Sequence, residues 1–591
     1  MSIPDPAVHL PRRSGAPVAL LALLFGGLAG LGGCTAEEPK DDTPAPSADG
    51  GDGGDGGADG GDGGDGGDGG DGVDSGEDPL PIDVCATLGL PSVPMDTEGP
   101  FGLHRRERMG DFSLPLRGGE TFSLSESWTG CEIYSFLPHG FVVSSLDRQT
   151  WWSTGVEDLV RRSPLNVHYF FVVSGSSADD AESFGAQMDA WIAEGIAGLR
   201  PDDQAWWADR LHVVAVPGAE ISGQLGEVVN SGVGELGFSI DRDQRIAGHG
   251  YMSAVEAFSE ELNALEEWPW EWRLYSAANE PAFLNFEAER AARMAEVEAT
   301  VVPIFEAELH DEYEDDVVVL PAPEVMAGFD TLEVEVFMEC PDREASEVGN
   351  CGAWDYIANL WLYDGETDSW LEMARFITTY HRESHWVVDA THALAWLQAG
   401  GERTIRYSWA PSWNTQPTII SVNLRLSNQG KGSAPRQAFP LFNGGAFNSA
   451  YNDREPVEVA VPAGAARVEL VSILTGHGMD SATNCAEFCP HEHQFTVGEA
   501  IFTRDYAEAG TSRGCQLDIA EGVVPNQAGT WWFGRGGWCP GQEVQPWVED
   551  VTAAAPAGSA VSVRYEGRLS GATPPDTSGN IELRSWLVVY E

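Results

Sequence analysis

The sequence predicts a multidomain protein in which an α/β domain precedes two antiparallel β domains of the jelly-roll type. Three observations support this prediction. Between residues 81 and 298, short β-rich runs alternate with a run of helical periodicity. From residue 299 onward, many short strand-like runs follow one another with turn residues between them and no helix. The polar stretch "SNQGKGSAPRQ" then divides this part into residues 299–432 and 433–591.

Residues 1–34 have the pattern of an export signal. Arg12 and Arg13 precede the apolar run "APVALLALLFGGLAGLGG", which ends at Cys34. The run is too short and too rich in glycine for a permanent membrane helix. Its end, Leu-Gly-Gly-Cys, resembles the lipobox of bacterial lipoproteins, in which the cysteine is acylated and becomes the mature N-terminus. We therefore expect an exported protein that is lipid-anchored through Cys34 in the bacterial cell envelope, at the outer membrane or the cell surface. An ordinary signal peptide is the alternative.

Residues 35–80 contain the repeat "DGGDGGADGGDGGDGGDGGDG". Glycine has high chain entropy and the aspartates repel one another, so this segment is expected to be a flexible anionic tether. A calcium-binding repeat is the alternative, but the side-chain oxygens lack the spacing of a known calcium loop. The whole chain has a net charge of −60, so nucleic acid is not an expected partner.

The chain has nine cysteines, of which one is Cys34. An even number of remaining cysteines in an exported chain favours disulfides over thiolate metal sites. Spacing alone does not determine how they pair. Pairing of nearest neighbours gives the simplest set, which is Cys85 with Cys131, Cys340 with Cys351, Cys485 with Cys489, and Cys515 with Cys539.

The region from 81 to 298 has the order strand, helix, strand. "EIYSFL", "NVHYFFVVSG" and "RLHVVAVPG" are β-rich, and "SADDAESFGAQMDAWIAEGI" has helical periodicity between the last two, which predicts parallel strands. "GDFSLPLRGGETFSLSESWTG" and "GFSIDRDQRIAGHGYM" resemble a thioredoxin-like domain of the peroxiredoxin type. No Cys-x-x-Cys motif occurs, and Cys131 stands alone before its strand. The domain is therefore expected to be redox-inactive.

Six motifs follow one another in the C-terminal part of the chain. They are "MECPDREASEVGNCGAWDYIANLWLYD", "ARFITTY", "TGHG", "CAEFC", "GC…PNQAGTWW" and "GRGGWCPG". In this order, and with six cysteines in the family's disulfide positions, they resemble the peptide:N-glycosidase F family from about residue 300 to 591. The resemblance implies two jelly rolls, N-glycosylated proteins or glycopeptides as substrates, and no metal or other cofactor. The implied reaction hydrolyses the amide between an asparagine side chain and the first N-acetylglucosamine.

The resemblance assigns the catalytic roles to two carboxylates. Asp355 follows Trp354 in the first jelly roll, and Glu487 lies in the short loop between Cys485 and Cys489 in the second. Amide hydrolysis needs water activation and proton delivery to the leaving nitrogen, and paired carboxylates can share these tasks. We expect both to face one cleft, with Asp355 shielded from solvent by Trp354 and Glu487 oriented by its disulfide loop.

Arginine and aromatic side chains are expected to bind the sugar and the amide. The resemblance assigns the lining of the cleft to Trp354, Tyr356, Tyr407, Trp409, His477, Arg535 and Trp538. Three of these depart from the family, because Tyr356, Tyr407 and His477 stand where it has arginine, glutamate and tryptophan. These departures leave open which glycans are accepted.

Two alternative functions use other features of the sequence. His491 and His493 alternate on a predicted strand and could hold copper or zinc together with His477, as in a monooxygenase-like enzyme on the same two-jelly-roll architecture. A lipid-tethered glycan-binding protein without turnover would keep the cleft and lose the chemistry.

Overall fold

Antiparallel β-sheets make up most of the structure, a computed structural model that describes residues 83–144, 147–254, 271–272, 274–480 and 482–591. These residues lie in one unit that spans Pro81–Glu591. The predicted signal, the tether and Cys34 lie outside the described residues. Among the helices that the structure describes, none is long and apolar enough to cross a membrane.

The N-terminal region contains helices and short strands. The helices are α1 (Val84–Leu88), α2 (Leu124–Ser127), α3 (Val156–Arg162), α4 (Ala178–Ala197), α5 (Pro201–Ala208), α6 (Gly223–Val229) and α7 (Asn279–Glu296), with 3₁₀ turns at Gly218–Glu220 and Leu274–Ala278. The strands are β1 (Ser113–Pro115), β2 (Thr121–Ser123), β3 (Ile133–Pro138), β4 (Phe141–Ser144), β5 (Asp147–Gln149), β6 (Val167–Val172), β7 (Leu211–Val213), β8 (Phe238–Ile240), β9 (Ile246–Gly248), β10 (Ser253–Ala254) and β11 (Glu271–Trp272).

A five-stranded sheet with the order β7-β6-β3-β8-β9 is the centre of this region. β3, β6 and β7 are parallel, as their sequence predicts, and β8 and β9 are antiparallel to the strands beside them. Every residue of β6 is buried, because apolar clusters cover both faces of the sheet. The helix predicted between β6 and β7 is α4, which begins where Ser177 accepts a hydrogen bond from the backbone N–H of Asp180.

The first jelly roll follows α7. Its strands are β12 (Ala299–His310), β13 (Tyr313–Leu320), β14 (Thr331–Glu339), β15 (Ile357–Asp364), β16 (Ser369–Ile377), β17 (Ser384–Asp389), β18 (Gly401–Ser408) and β19 (Thr418–Ser427); the short helices are α8 (Pro323–Met326), α9 (Leu394–Leu397) and a 3₁₀ turn at Thr391–Ala393. One sheet has the order β12-β19-β14-β17, and its core residues alternate with outward-facing ones along β19. The other has the order β13-β18-β15-β16-β25, where β25 is Glu543–Val544, and the apolar core lies between the two sheets.

The second jelly roll is also built of two antiparallel sheets, with the orders β20-β28-β22-β26 and β21-β27-β23-β24. Its strands are β20 (Pro435–Ala446), β21 (Val457–Ala460), β22 (Arg467–His477), β23 (His491–Val497), β24 (Ala500–Asp505), β25 (Glu543–Val544), β26 (Trp547–Asp550), β27 (Ala560–Leu569) and β28 (Asn580–Tyr590). α10 (Gly514–Leu517) and a 3₁₀ turn at Ile519–Glu521 lie in the long connection after β24.

The two jelly rolls are joined at the end of β16. β25 belongs by sequence to the second jelly roll but pairs with β16 of the first, where Arg375 lies opposite Val544. Arg375 also donates hydrogen bonds to Thr475 at 2.7 Å and to the carbonyl of Glu582 at 2.6 Å, in β22 and β28. The segment that follows β16 therefore lies at the boundary between the jelly rolls.

The described residues contain four disulfides, and their pairing is the nearest-neighbour set. The bonded pairs are Cys85–Cys131, Cys340–Cys351, Cys485–Cys489 and Cys515–Cys539.

Candidate active site

Asp355 lies in the loop between Cys351 and the start of β15. Thr378, which follows β16, fixes this loop on both sides of the aspartate. Its hydroxyl donates to the carbonyl of Trp354 at 2.6 Å and accepts from the backbone N–H of Tyr356 at 2.8 Å. The Asp355 side chain is 17% exposed, so its carboxylate is mostly shielded but still reachable from solvent.

Glu487 is held by the strand end before its loop and by the segment around Gly536. Its backbone N–H donates to the carbonyl of Gly478 at 3.0 Å, and the N–H of Gly478 donates to Glu487 Oε2 at 3.0 Å. The N–H of Gly536 donates to the Glu487 carbonyl at 2.8 Å. Together with the Cys485–Cys489 disulfide, these bonds determine where the carboxylate points, and the side chain is 17% exposed.

Arg535 joins the two carboxylates. Its Nη2 lies 3.4 Å from Asp355 Oδ2 and its Nε lies 3.3 Å from Glu487 Oε1. The guanidinium is a rigid fork, so the two oxygens it contacts are less than roughly 9 Å apart. The arginine is fully buried, and its Nη1 donates to the carbonyls of Thr530 at 3.1 Å and Phe533 at 2.9 Å. Carboxylates from different jelly rolls therefore face one site, as the sequence predicts.

The electrostatics around Arg535 favour one proton shared between Asp355 and Glu487. Burial raises the pKa of Glu487 to about 7; the Arg535 cation acts to lower it and the Asp355 charge acts to raise it. Burial also raises the pKa of Asp355, against the lowering effects of Arg535 and of a hydrogen bond from Tyr380. Since the two carboxylates interact, they titrate as a pair. Near neutral pH the site can hold one proton, which suits acid–base chemistry on an amide.

Tyr380 belongs to the site, although the sequence analysis did not assign it a role. Its hydroxyl lies 3.5 Å from Nη2 of Arg535 and interacts with Asp355. Burial raises the pKa of Tyr380 well above its usual range, so it stays a proton donor to the carboxylate. The motif "ARFITTY" contained this residue, but only the contact between Thr378 and the Asp355 loop reveals its position.

The aromatic side chains at the mouth of the site differ from those predicted. Trp354 is 41% exposed and does not shield Asp355 from solvent; Arg535 and Tyr380 lie against that carboxylate instead. Tyr356 is half-buried, and its hydroxyl accepts a hydrogen bond from Nδ2 of Asn414 at 2.7 Å. Trp413, which the sequence analysis missed, is 79% exposed and meets the Tyr356 ring edge-on at 6.2 Å.

The prediction that Tyr407 and Trp409 line the cleft is wrong. Both are completely buried, and their rings stack at 5.4 Å in the core of the first jelly roll. Trp409 Nε1 donates to the carbonyl of Gln416 at 2.9 Å, and the Tyr407 hydroxyl contacts the sulfur of Met338. The reason is strand alternation, because Ile405, Tyr407 and Trp409 occupy successive inward positions of β18 and its end.

Trp538 and His477 stack on each other beside Arg535. Their rings are 4.9 Å apart, and Trp538 Nε1 donates to the carbonyl of Gly476 at 2.7 Å. Trp538 is buried and supports the arginine, whose guanidinium lies 4.9 Å from the ring, so it does not line the open cleft as predicted. His477 is half-buried, and burial, with the cations of Arg375 and Arg535, lowers its pKa well below its usual range.

His491 and His493 share the buried face of β23, as predicted, and hydrogen-bond each other. His491 Nε2 donates to the carbonyl of Ala486, so its Nδ1 accepts from His493 Nε2 at 2.7 Å. His493 Nδ1 in turn accepts from the Tyr565 hydroxyl at 2.7 Å. All four ring nitrogens are occupied, and the described part of the chain contains no group of three or more metal-ligating side chains that could hold an ion. The geometry does not favour the metal alternative.

The fold and the site define a class of protein: two packed jelly rolls that bring two carboxylates to one buried arginine. Residues 446–588 match the family model described as Peptide-N-glycosidase F, C terminal. Over 258 residues the chain is 24% identical to peptide-N(4)-(N-acetyl-beta-D-glucosaminyl)asparagine amidase F of Elizabethkingia miricola, covering 40% of this chain and 67% of that protein. The match to this family model covers most of the second jelly roll.

Solved structures are similar over about half of the chain. A crystal structure of a peptide-N(4)-(N-acetyl-beta-D-glucosaminyl)asparagine amidase has a TM-score of 0.40 at 18% identity and covers 50% of this chain and 96% of that one. The structure of PNGase F from Flavobacterium meningosepticum has a TM-score of 0.38 at 20% identity and covers 49% and 96%.

Proposed function

We propose that the protein is a peptide-N4-(N-acetyl-beta-glucosaminyl)asparagine amidase, a hydrolase that acts on the asparagine–sugar amide of N-glycosylated proteins or glycopeptides. The observation that carries the proposal is the shared contact of Asp355 and Glu487 with Arg535. An amide needs groups on both of its sides for hydrolysis, and these carboxylates come from different jelly rolls.

In this proposal Asp355 activates the water. The water oxygen attacks the side-chain carbonyl carbon while Asp355 takes its proton, and the carbon–nitrogen bond then breaks as the leaving nitrogen receives a proton. The products are an aspartate in the protein and a glycosylamine, which later releases ammonia. Tyr380 and Arg535 favour the ionised form of Asp355 that this step requires.

Glu487 is better placed to orient the amide and the water than to attack the amide carbon itself. One of its oxygens accepts from Gly478 N–H and the other faces Arg535 Nε, so the carboxylate is fixed from two sides. A group with a pKa near 7 exchanges its proton readily at neutral pH, so a protonated Glu487 can also donate its proton to the leaving nitrogen, and the proton that Asp355 takes from the water leaves the pair with one proton as before.

Three aromatic side chains of the first jelly roll are the proposed sugar platform. Trp354 and Tyr356 stand on either side of Asp355 in the chain, and Trp413 meets the Tyr356 ring edge-on at 6.2 Å. Flat apolar ring faces suit the faces of pyranose sugars. His477 stacks on Trp538 and directly precedes Gly478, whose N–H donates to Glu487. We propose that these four residues, rather than Tyr407 and Trp409, determine which glycans are accepted.

One assay tests the function. The soluble fragment 81–591 is incubated with a denatured N-glycoprotein, and asparagine-to-aspartate conversion at the glycosylation sites is measured by mass spectrometry. Conversion that disappears in Asp355→Asn supports the proposal. Glycopeptide binding without conversion in both proteins identifies a non-catalytic glycan-binding protein and refutes it.

Two further proposals concern the N-terminal part. We propose that residues 81–298 are a thioredoxin-like domain without redox activity; the mixed sheet order supports this, and Cys131 is bonded to Cys85 rather than available as a thiol. We also propose that a lipid on Cys34 anchors the protein to the cell envelope, since a lipobox-like sequence ends the apolar run.

A further inference from the structure

Arg382 is one of the buried arginines at which the N-terminal region meets the jelly rolls. It stands two residues after Tyr380, in the 378–382 segment that follows β16, and is 6% exposed. Its Nη2 donates to the carbonyl of Gly248 at 2.9 Å, and its Nη1 donates to the carbonyl of His249 at 3.2 Å, at the end of β9. The guanidinium thus hydrogen-bonds to the backbone at the end of a strand of the N-terminal sheet.

The same guanidinium binds three other segments. Nη2 lies 3.1 Å from the carboxylate of Glu280 at the start of α7, and Nε donates to Glu347 at 2.7 Å in the first jelly roll. Nη1 also donates to the carbonyl of Pro525 at 2.6 Å in the second jelly roll. Every nitrogen of Arg382 therefore has a partner, and we call this arrangement the Arg382 clasp; its members are Arg382, Gly248, His249, Glu280, Glu347 and Pro525.

The loop 524–528 is held between the N-terminal region and Tyr380. On one side, the backbone N–H of Tyr251 donates to the carbonyl of Asn526 at 2.6 Å, and Asn279 Nδ2 donates to Asn526 Oδ1 at 3.0 Å. On the other side, the Tyr380 N–H donates to Gln527 Oε1 at 2.9 Å, and its carbonyl accepts from Ala528 N–H at 3.2 Å. The loop therefore links the N-terminal region to the backbone of Tyr380 by hydrogen bonds on both of its sides.

The same chain segment continues to the arginine of the active site. Thr530, two residues beyond Ala528, places its hydroxyl 3.1 Å from Nη2 of Arg535, the nitrogen that faces Asp355. The 378–382 segment thus contacts Arg535 through the Tyr380 hydroxyl, and the chain that follows the loop 524–528 contacts it through the Thr530 hydroxyl.

We infer that the N-terminal α/β region is a positioning element of the active site, and that the Arg382 clasp fixes Tyr380 and the loop 524–528 against Asp355 and Arg535. The inference rests on the proposed function and adds to it the role of a region outside the jelly rolls. Arg382 is a positioning residue, because it touches none of the groups expected to meet the substrate. Its partners Glu280 and Glu347 are both buried, so the loss of the arginine leaves two buried carboxylates without their cation.

Arg382→Gln in the full chain tests the inference, with Arg290→Gln as the matched control. Arg290 is also buried and also pairs across the same boundary, from α7 to Glu543 of β25, but it contacts neither the 378–382 segment nor the loop 524–528. Both variants are expected to lower stability. Only Arg382→Gln is expected to increase backbone hydrogen exchange in 378–382 and 524–530 relative to the rest of the jelly rolls.

Kinetics provide the second measurement. Loss of the Tyr380 contact removes an interaction that lowers the pKa of Asp355, so the acidic limb of the kcat profile is expected to move to higher pH in Arg382→Gln. We expect kcat to fall by about 10-fold or more, since a small misplacement of a catalytic group is costly, while KM changes little. Arg290→Gln is expected to leave both the limb and kcat unchanged.

Several outcomes overturn the inference. Equal effects of the two variants on kcat with an unmoved pH limb, or hydrogen exchange that rises only outside the two segments, show a merely structural role. If Arg382→Gln does not fold, Arg382→Lys is tested instead, because lysine keeps the charge but cannot reach all five partners. The stability of Arg382→Lys is expected to lie between those of wild type and Arg290→Gln. Its hydrogen exchange is still expected to increase in the two segments. If the wild-type protein has no amidase activity, the proposed function fails, and hydrogen exchange alone still decides the positioning role.

Discussion

Nη2 of Arg535 lies 3.4 Å from Oδ2 of Asp355, although the two residues are 180 positions apart in the chain. The contact crosses from the second jelly roll to the first, so neither domain alone contains the site. Arg535 is fully buried, and its charge is balanced by Asp355 on one side and Glu487 on the other. Removal of one carboxylate therefore changes the chemistry of the other as well as the charge of the site.

Asp355→Asn keeps the size of the side chain and removes its charge and basicity. We expect the amidase rate to fall by about 10²-fold or more, which is the usual contribution of one general base. Folding is expected to change little, because burial already opposes the charged form of Asp355. Initial rates on a glycopeptide measure the first effect and thermal unfolding the second. Asp364→Asn, at the end of β15 in the same jelly roll, is the control; a similar rate loss there would argue against a special role for Asp355.

Glu487→Gln tests the raised pKa of the second carboxyl group. The pKa of Glu487 is about 7 in the folded protein and lies above the ordinary value of 4.5, so the folded state binds this proton more tightly than the unfolded state. The resulting stability is present below the ordinary pKa and is lost as the pH rises to about 7.

In Glu487→Gln this loss is absent. Wild type is therefore expected to lose about 1–3 kcal/mol of unfolding free energy relative to the variant between acidic and mildly alkaline pH, after allowance for the coupling to Asp355. Urea denaturation of both proteins at the two pH values measures the difference. Parallel stability curves would show that the pKa of Glu487 is not raised.

Much of the site could be predicted from the sequence because its key residues stand beside cysteines. Glu487 lies within a disulfide loop of four-residue spacing, and Asp355 follows the Cys340–Cys351 pair by a few positions. Such loops permit few backbone conformations, so the sequence motif largely determines how the carboxylate is placed. The parallel strands β3 and β6 were also predictable, since each is a short run rich in aromatic and β-branched residues.

Other parts depend on contacts that no local pattern reports. Trp409 and Trp413 are only four positions apart, yet the first continues the inward alternation of β18 and the second lies in the loop that follows. The boundary between strand and loop decides which ring is exposed at the surface, and a single sequence places such boundaries poorly. Tyr380 and Arg382 acquire their roles from partners more than 100 positions away.

Trp413→Ala tests the sugar platform. Since Trp413 is 79% exposed, its removal is expected to change the free energy of unfolding by less than about 0.5 kcal/mol. The loss of a stacking surface is expected to raise KM for a glycopeptide by about 10-fold, with a smaller effect on kcat. Trp409→Ala is the contrasting variant and is expected to destabilise the protein by about 3–5 kcal/mol, because it leaves a cavity in the core. An unchanged KM in Trp413→Ala would remove this residue from the proposed platform.

Cys34→Ser tests the lipid anchor. The cysteine at the end of the apolar run is the only proposed acylation site, so its replacement is expected to release the protein into the soluble fraction or to block its processing. Partition into detergent and mass analysis of the mature N-terminus measure the two outcomes. A variant that stays in the membrane fraction to the same extent as wild type would contradict the proposal.

The disulfide between Cys485 and Cys489 is expected to matter more for activity than for stability. It closes a loop with a separation of 4 residues, so its removal by the double change to serine is expected to cost only about 2 kcal/mol in the chain-entropy model. The same change frees the backbone that orients Glu487, and a rate loss of about 10-fold or more is expected.

The double change of Cys85 and Cys131 is the control, because that disulfide has a separation of 46 residues and lies in the N-terminal region. It is expected to cost more, about 4 kcal/mol, and to leave the rate of the remaining folded protein closer to wild type. Rates per folded molecule, with the folded fraction taken from denaturation curves, separate the two effects; an equal rate loss in both variants would mean that the small loop does not act through Glu487.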